Sequence, residues 1–584
     1  MSTAGPPQGA QHRSAQRGGL AGRRIDCDLL VVGSGASGLS AAVTAARHGL
    51  QVVVVEKAPV FGGATAWSGG WMWAPGNPLA KRAGIQEDPQ QPRTYLRNEL
   101  GPHYDAARVD AFLDNAPAMV AFFEQHTALQ FVDGNGIPDI HGQVPGAATG
   151  GHQLIAAPCD ARTLGALNKQ LRPTMRETSF LGMPIMAGAD LAAFLSMTRS
   201  AKSFLHVTGR FLRHLRDLAL HGRAMHLVNG VALIGRLAKS AQDLQVQLIA
   251  SAPAQRLLLE QGRVCGAVVA MDGGETEIRA SRGVVLAAGG FPHDTARRQA
   301  LFPRTPTGHE HLALPPESCS GDGIRLGEAA GGVLATALAS PVAWAPVSRV
   351  PHADGAIGHF PHIIDRGKPG VIGVLSNGRR FVNEADGYHD YTAAMVAQAP
   401  AGEEVCSWLV CDHRFQRLYG LGHARPFPLP VGPALRSGYL QRGATIEALA
   451  RACGIAPAAL AATVQEFNDH ARRGEDPAFG RGSTPYNRKM GDALHRGPNP
   501  CVAPIEQGPF YAVKVLPGSF GTFAGLRTDA SARVLGADGA AIAGLYAVGT
   551  DMASVLGGCY PSGGINLGPA MTFGYIAGRH AAGI

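Results

Sequence analysis

Two short apolar runs near the start of the chain, Asp28 to Val32 and Val52 to Val55, have the texture of strands buried on both faces. The stretch between them carries the helical period and stops at Gly49. Further along, Asn229-Gly230 opens a helix over Val231 to Gln242, followed by a strand at Val246 to Ile249. Arg256 to Glu260 and Val264 to Met271 alternate like a hairpin about Gly262. Arg282 to Gly290 reads as a buried strand ending on small residues, and Gly321-Asp322-Gly323 opens a helix over Ile324 to Ala330. From 332 to 505 the pattern changes to Pro-punctuated strands and short helices. A strand between Gly544 and Gly549 and a helix over Pro569 to Ala582 close the chain. The fold class is therefore α/β. A Rossmann-like domain comes from residues 25–331 and 506–584, and an α+β catalytic domain is inserted at 332–505. Residues 1–24, rich in Gly, Ala, Gln, Pro and Arg, read as a disordered tail.

Between the first strand and helix lies Gly33-Ser-Gly35-Ala36-Ser37-Gly38. Gly33 permits the tight turn, Gly35 lets backbone approach a pyrophosphate, and Gly38 lets helix and strand pack closely. The helix start at Ala36 and Ser37 offers unpaired N–H groups to phosphate. Glu56, followed by Lys57, ends the second strand where an acid meets a ribose hydroxyl. Gly62-Gly63-Ala64-Thr65-Ala-Trp-Ser68-Gly69-Gly70 then supplies a loop that can wrap a long cofactor. NAD and FAD both use the first unit, and this loop favours FAD.

Charge and cysteine change the picture little. Across 584 residues there are 52 basic and 44 acidic residues, a net charge of +8, with no concentrated basic face or module for nucleic acid. Nine cysteines, an odd number without a CxxC pair, argue against a disulfide framework or structural zinc, and suit a reducing, cytoplasmic setting. No run of 18 apolar residues appears. Leu205 to Leu220 interleaves Arg with apolar residues as an amphipathic helix that packs on the protein or makes weak peripheral contact with a membrane.

Gly33 to Gly70 resembles the FAD-binding start of the succinate dehydrogenase/fumarate reductase flavoprotein family, which includes the 3-ketosteroid dehydrogenases. The resemblance spans nearly the whole chain. It implies that the strand ending at Ala288-Gly289 returns to the nucleotide sheet and that Asp322 lies on a cofactor-side loop. It also implies that Asp551 faces ribityl or ribose hydroxyls, and that the helix start at Asn566 and Leu567 meets the flavin pyrimidine end. Fumarate reductases hold a dicarboxylate with arginines, yet Tyr388 and Asn566 stand where that branch has arginine, and Ser519-Phe520-Gly521-Thr522 lacks its histidine. The tyrosines instead resemble the ketosteroid branch. There Tyr560 and the Gly564 N–H would polarise the ketone, Tyr388 would take the α proton, and Ser562 is a candidate relay. Ile140 occupies the place of a tyrosine that assists the base in 1,2-dehydrogenating members. The expected substrate is a small apolar ketone of steroid type, with electrons passed to an external acceptor. An ene-reductase working in the reverse direction and a flavoprotein that only passes electrons are the rival expectations.

Overall fold

The computed structural model describes residues 23–271 and 273–584. The tail expected over residues 1–24 lies outside this range except for Arg23 and Arg24, which open the first strand. That strand, Arg23–Val32, is the centre of a parallel sheet. In spatial order the sheet runs Ala541–Ala547, Gly274–Leu286, Arg23–Val32, Val52–Val55 and Gln247–Ile249. The run Leu29 to Val31 is fully buried, with helix Ala36–Arg47 packed against the strand. The hairpin of Ala254–Glu260 and Arg263–Met271 adds antiparallel strands to Gly274–Leu286. The last helix, Leu567–Ala582, lies against the first, Ala36–Arg47. A Cβ on Gly574 would come within 2.4 Å of the Ser37 carbonyl oxygen, so glycine sets how close the two helices pack.

The second sheet is antiparallel along its main path: Ile357–Pro361, Val342–Pro351, Phe510–Thr522, Ser407–Cys411 and Val371–Leu375. Its long central strand lies within the stretch 506–584 expected to complete the cofactor domain. Phe510–Thr522 pairs with Val342–Pro351 and Ser407–Cys411, and the chain rejoins the first sheet only at Arg533–Leu535 and Ala541–Ala547. The reason is physical: an apolar run of this length is equally at home in either sheet, and only its cross-strand partners decide. In that strand the register jumps, with Ala343 opposite Gly521 and Trp344 opposite Ser519. Phe520 is the extra residue of this bulge, which re-aims its side chain. It packs edge-on against Tyr388 with ring centroids 5.0 Å apart.

The amphipathic stretch forms helix Ala201–His221, with Val207, His214 and Asp217 buried and Phe204, Leu205, Leu212 and Leu220 exposed. Among the described residues no helix is long and apolar enough to cross a membrane.

Candidate active site

One cavity of about 1120 Å³ runs from the parallel sheet to the second sheet. At one end lies the glycine turn. Gly33 has φ +112°, and a Cβ there would sit 2.1 Å from the Ala287 carbonyl oxygen. A Cβ on Gly35 would meet only Thr65 Oγ1, at 3.6 Å, and one on Gly69 would meet nothing within 4 Å. These two glycines leave bare backbone towards the cavity, a cradle that side chains would fill. The turn is held from behind. Thr65 Oγ1 accepts from the Ala36 N–H at 3.0 Å, and Ser68 Oγ donates to the Thr65 carbonyl at 2.7 Å. Ser37, Gly63, Ala64 and Gly70 complete this wall. Gly38 lies behind the turn, where a Cβ would sit 2.1 Å from the Gly33 carbonyl oxygen.

Glu56 lines the cavity while accepting from Ser34 Oγ at 2.6 Å and from the Ala58 N–H at 2.9 Å. Lys57 and Asp322 pair at 2.8 Å beside it. Ala288 and Gly289 line the opposite wall, and Asn566 and Leu567 open the last helix onto the cavity. This cradle fits FAD: bare glycine backbone and a helix start for the pyrophosphate, an acid at the second strand, and a channel that continues to an aromatic chamber. We expect Gly33→Ala to yield folded but colourless protein, because any side chain there collides with the Ala287 carbonyl. Flavin absorbance of the purified variant measures this.

Besides Gly38, two candidates fall outside the cavity lining. Asp551 is fully buried, and its carboxylate accepts from the Ala288 and Gly290 N–H groups, the latter at 2.9 Å. It braces the turn rather than presenting oxygens to a sugar. Burial pushes its carboxyl up to about 6. Ser562 is also fully buried, and its Oγ accepts from Gln153 Nε2 at 2.6 Å. A hydroxyl held there braces the Tyr560-Pro561 turn.

At the other end two tyrosines meet. Tyr388 starts helix Tyr388–Gln398, and its Oη donates to Tyr560 Oη at 2.8 Å, with ring centroids 5.0 Å apart. Asn566 Nδ2 also donates to Tyr560 Oη, at 3.3 Å. With both its lone pairs engaged, Tyr560 keeps its own O–H free to donate into the cavity. The Gly564 N–H meets no acceptor among the described residues, and this glycine too lines the cavity. Gly564 has φ +90°, and a Cβ would stand 2.7 Å from Met72 backbone. The turn between the two donors is clamped: the Pro561 carbonyl accepts from Tyr95 Oη at 2.7 Å and from the Ile140 N–H at 2.9 Å.

Burial raises both phenols, Tyr388 well above its usual value with Tyr560 adding to the rise. The guanidinium of Arg366, buried behind Tyr388 and bonded to the His362, Glu384 and Asp386 carbonyls, opposes the rise. His389 is buried, accepts from the Trp344 N–H at Nδ1 (3.2 Å), and is held to about 4, so it stays neutral beside Tyr560. Glu384 is a structural partner, bonded to Arg380 at 2.7 Å and to Arg481 at 3.2 Å.

Phe520, Tyr486 and the brace from Tyr95 went unread in the sequence. Thr484-Pro485 does mark a helix start at Tyr486, but nothing in the pattern says which way that ring points.

A cradle for FAD joined to a chamber with two converging hydroxyl and amide donors defines a flavin-dependent oxidoreductase. The FAD binding domain family matches residues 28–567, and the chain belongs to it. It is 42% identical over 96% of its length to 4-oxocyclohex-2-ene-1-carboxylate 5-dehydrogenase of Sinomonas cyclohexanicum, covering 94% of that protein. It is 36% identical over 95% of its length to 3-oxosteroid 1-dehydrogenase of Mycobacterium tuberculosis, covering 98% of it. Among solved structures, 3-ketosteroid delta1-dehydrogenase from Sterolibacterium denitrificans in complex with 1,4-androstadiene-3,17-dione superposes with a TM-score of 0.88 at 34% identity, covering 96% of this chain and 99% of that one. The protein is thus an FAD-dependent oxidoreductase of the CH–CH dehydrogenase type, acting on a keto substrate.

Proposed function

We propose that the protein introduces a C=C bond α,β to the ring ketone of a 3-oxosteroid. The observation that carries this reading is the Tyr388–Tyr560 contact beside the free Gly564 N–H. The Tyr560 O–H and the Gly564 N–H are placed to donate to one ketone oxygen, where enolate charge develops. Tyr388, on the neighbouring side of that oxygen, is placed to take the α proton. Bound FAD supplies the two-electron acceptor for the hydride that leaves the β carbon. The phenyl faces of Phe520 and Tyr486 keep water from this end of the cavity.

Ile140 stands where the resemblance places the tyrosine that assists the base. Ile140 is buried against the turn that leads into the helix, and a Cβ on Gly387 would come within 3.1 Å of its side chain. With Ser562 turned away, support for a 4,5 relay falls, and likeness to 1-dehydrogenases favours the 1,2 bond. The single-ring keto acid handled by the Sinomonas relative favours a second reading, a 4-oxocyclohexane carboxylate. A panel of both substrate types, scored by anaerobic bleaching of the flavin, decides. Bleaching by 3-oxosteroids is expected. Bleaching by single-ring keto acids alone would replace the steroid, and reoxidation of reduced enzyme by an enone, with no bleaching by any saturated ketone, would reverse the direction.

A further inference from the structure

The cavity does not end at the tyrosines. On its far wall Arg425 is half-buried, with its guanidinium 6.0 Å above the ring of Phe360. Its Nη2 donates to the Glu177 carbonyl at 2.6 Å and the Ser179 carbonyl at 3.1 Å. Nε and Nη1 donate to no protein group among the described residues, and no carboxylate lies within ion-pair distance. Taking a charge from water costs several kcal/mol unless a partner repays it. Burial lowers the guanidinium pKa from its usual value, with no carboxylate opposing it.

The neighbouring acids are already engaged. Asp365 is bonded to His362 at 2.7 Å and to the Gly422 N–H at 3.0 Å. Asp492 is bonded to Arg199 at 2.7 Å and to Tyr419 Oη at 2.7 Å. A second cation, Lys368, also lines the cavity and is bonded only to the Met490 and Gly491 carbonyls. This end of the cavity therefore carries uncompensated positive charge.

Strand register gives the distance from the chemistry. Phe520, which touches Tyr388, lies beside Ser519, opposite Trp344, and Phe360 lies opposite Ser348 on the same strand. Two strand steps and four residues of rise separate them, roughly 16 Å. A tetracyclic ketone held at Tyr560 reaches only part of that way, and a single-ring keto acid falls far short. The same steroid nucleus with a side chain of several carbons ending in a carboxylate spans it.

We propose that Arg425 is an anion subsite at the far end of the cavity, and that the preferred substrate is a 3-oxosteroid whose side chain ends in a carboxylate. This deepens the dehydrogenase reading above and rests on it. One arm of the guanidinium holds the 177–179 loop, leaving the others for a carboxylate fork.

The test uses the holoenzyme with 3-oxocholan-24-oate and its methyl ester. The KM for the acid is expected to lie roughly tenfold or more below that for the ester, the scale of one charged hydrogen bond. Arg425→Gln should erase that difference with kcat and the ester KM unchanged, and Arg425→Lys should restore part of it. Equal KM values in the wild type would overturn the proposal, as would an Arg425→Gln effect on acid and ester alike, which marks a purely structural arm. If the variant does not fold, the wild-type comparison decides alone. Titration of the bound flavin's spectrum reads the same preference without turnover. A ligand pair that binds with the expected preference but never bleaches the flavin would sink the dehydrogenase reading and leave the subsite standing.

Discussion

Tyr560→Phe is expected to lower kcat by about 10² or more while FAD stays bound, the scale for removing one donor from an oxyanion site. The structure makes this a clean removal. With Tyr388 neutral, Tyr560 Oη accepts from Tyr388 and Asn566, which leaves its own proton for the cavity. Its ring is fixed by His389, Phe523 and Tyr388, none of which depends on the hydroxyl for packing. The Gly564 N–H would remain as the second donor, so activity should fall steeply rather than vanish. Pre-steady-state flavin bleaching measures it, with the 450 nm region also reporting FAD content. Turnover at wild-type rate would take the phenol out of the chemistry.

Tyr388→Phe should cost about 10² to 10⁴, the range for a general base. The larger consequence is in the pH profile. Burial and Tyr560 both favour the neutral phenol, so the basic form is scarce at neutral pH and its fraction grows tenfold with each pH unit below the pKa. Wild-type kcat/KM should therefore climb with pH into the alkaline range, and the climb should disappear in Tyr388→Phe. Arg366 holds a positive charge behind that ring and limits the rise. A flat wild-type profile, or an unchanged slope in the variant, would assign proton abstraction elsewhere.

What could be read in the sequence was whatever a residue imposes on its own backbone. Gly33, Gly35 and Gly38 announce a turn, a bare surface and a close packing, and the structure uses each in that way. Tyr388 and Tyr560 lie far apart in the chain, and it was family resemblance, with no local pattern, that paired them. Side-chain directions that depend on tertiary neighbours could not be read. Asp551 follows a strand as a sugar-binding acid would, but the amides of Ala288 and Gly290 lie nearer than the cavity. Ser562 sits in a turn, where one residue's step in register separates a hydroxyl facing substrate from one facing Gln153. The sheet that Phe510–Thr522 joins was illegible for a related reason, since the strand has the composition of either sheet. Arg366 and Arg425 belong to no helical or strand period, so nothing in the pattern marked one as a neighbour of the base or the other as an unpaired charge.

The central claim is that one phenol and one amide hold a single ketone oxygen at the flavin while a second phenol takes the α proton. A crystal structure of the FAD-loaded protein with a 3-oxosteroid bound tests it most directly. The account requires the ketone oxygen about 2.7–3.1 Å from both Tyr560 Oη and the Gly564 nitrogen, with the α carbon beside Tyr388 Oη. A ketone turned towards Arg425, with the tyrosines touching only hydrocarbon, would contradict it.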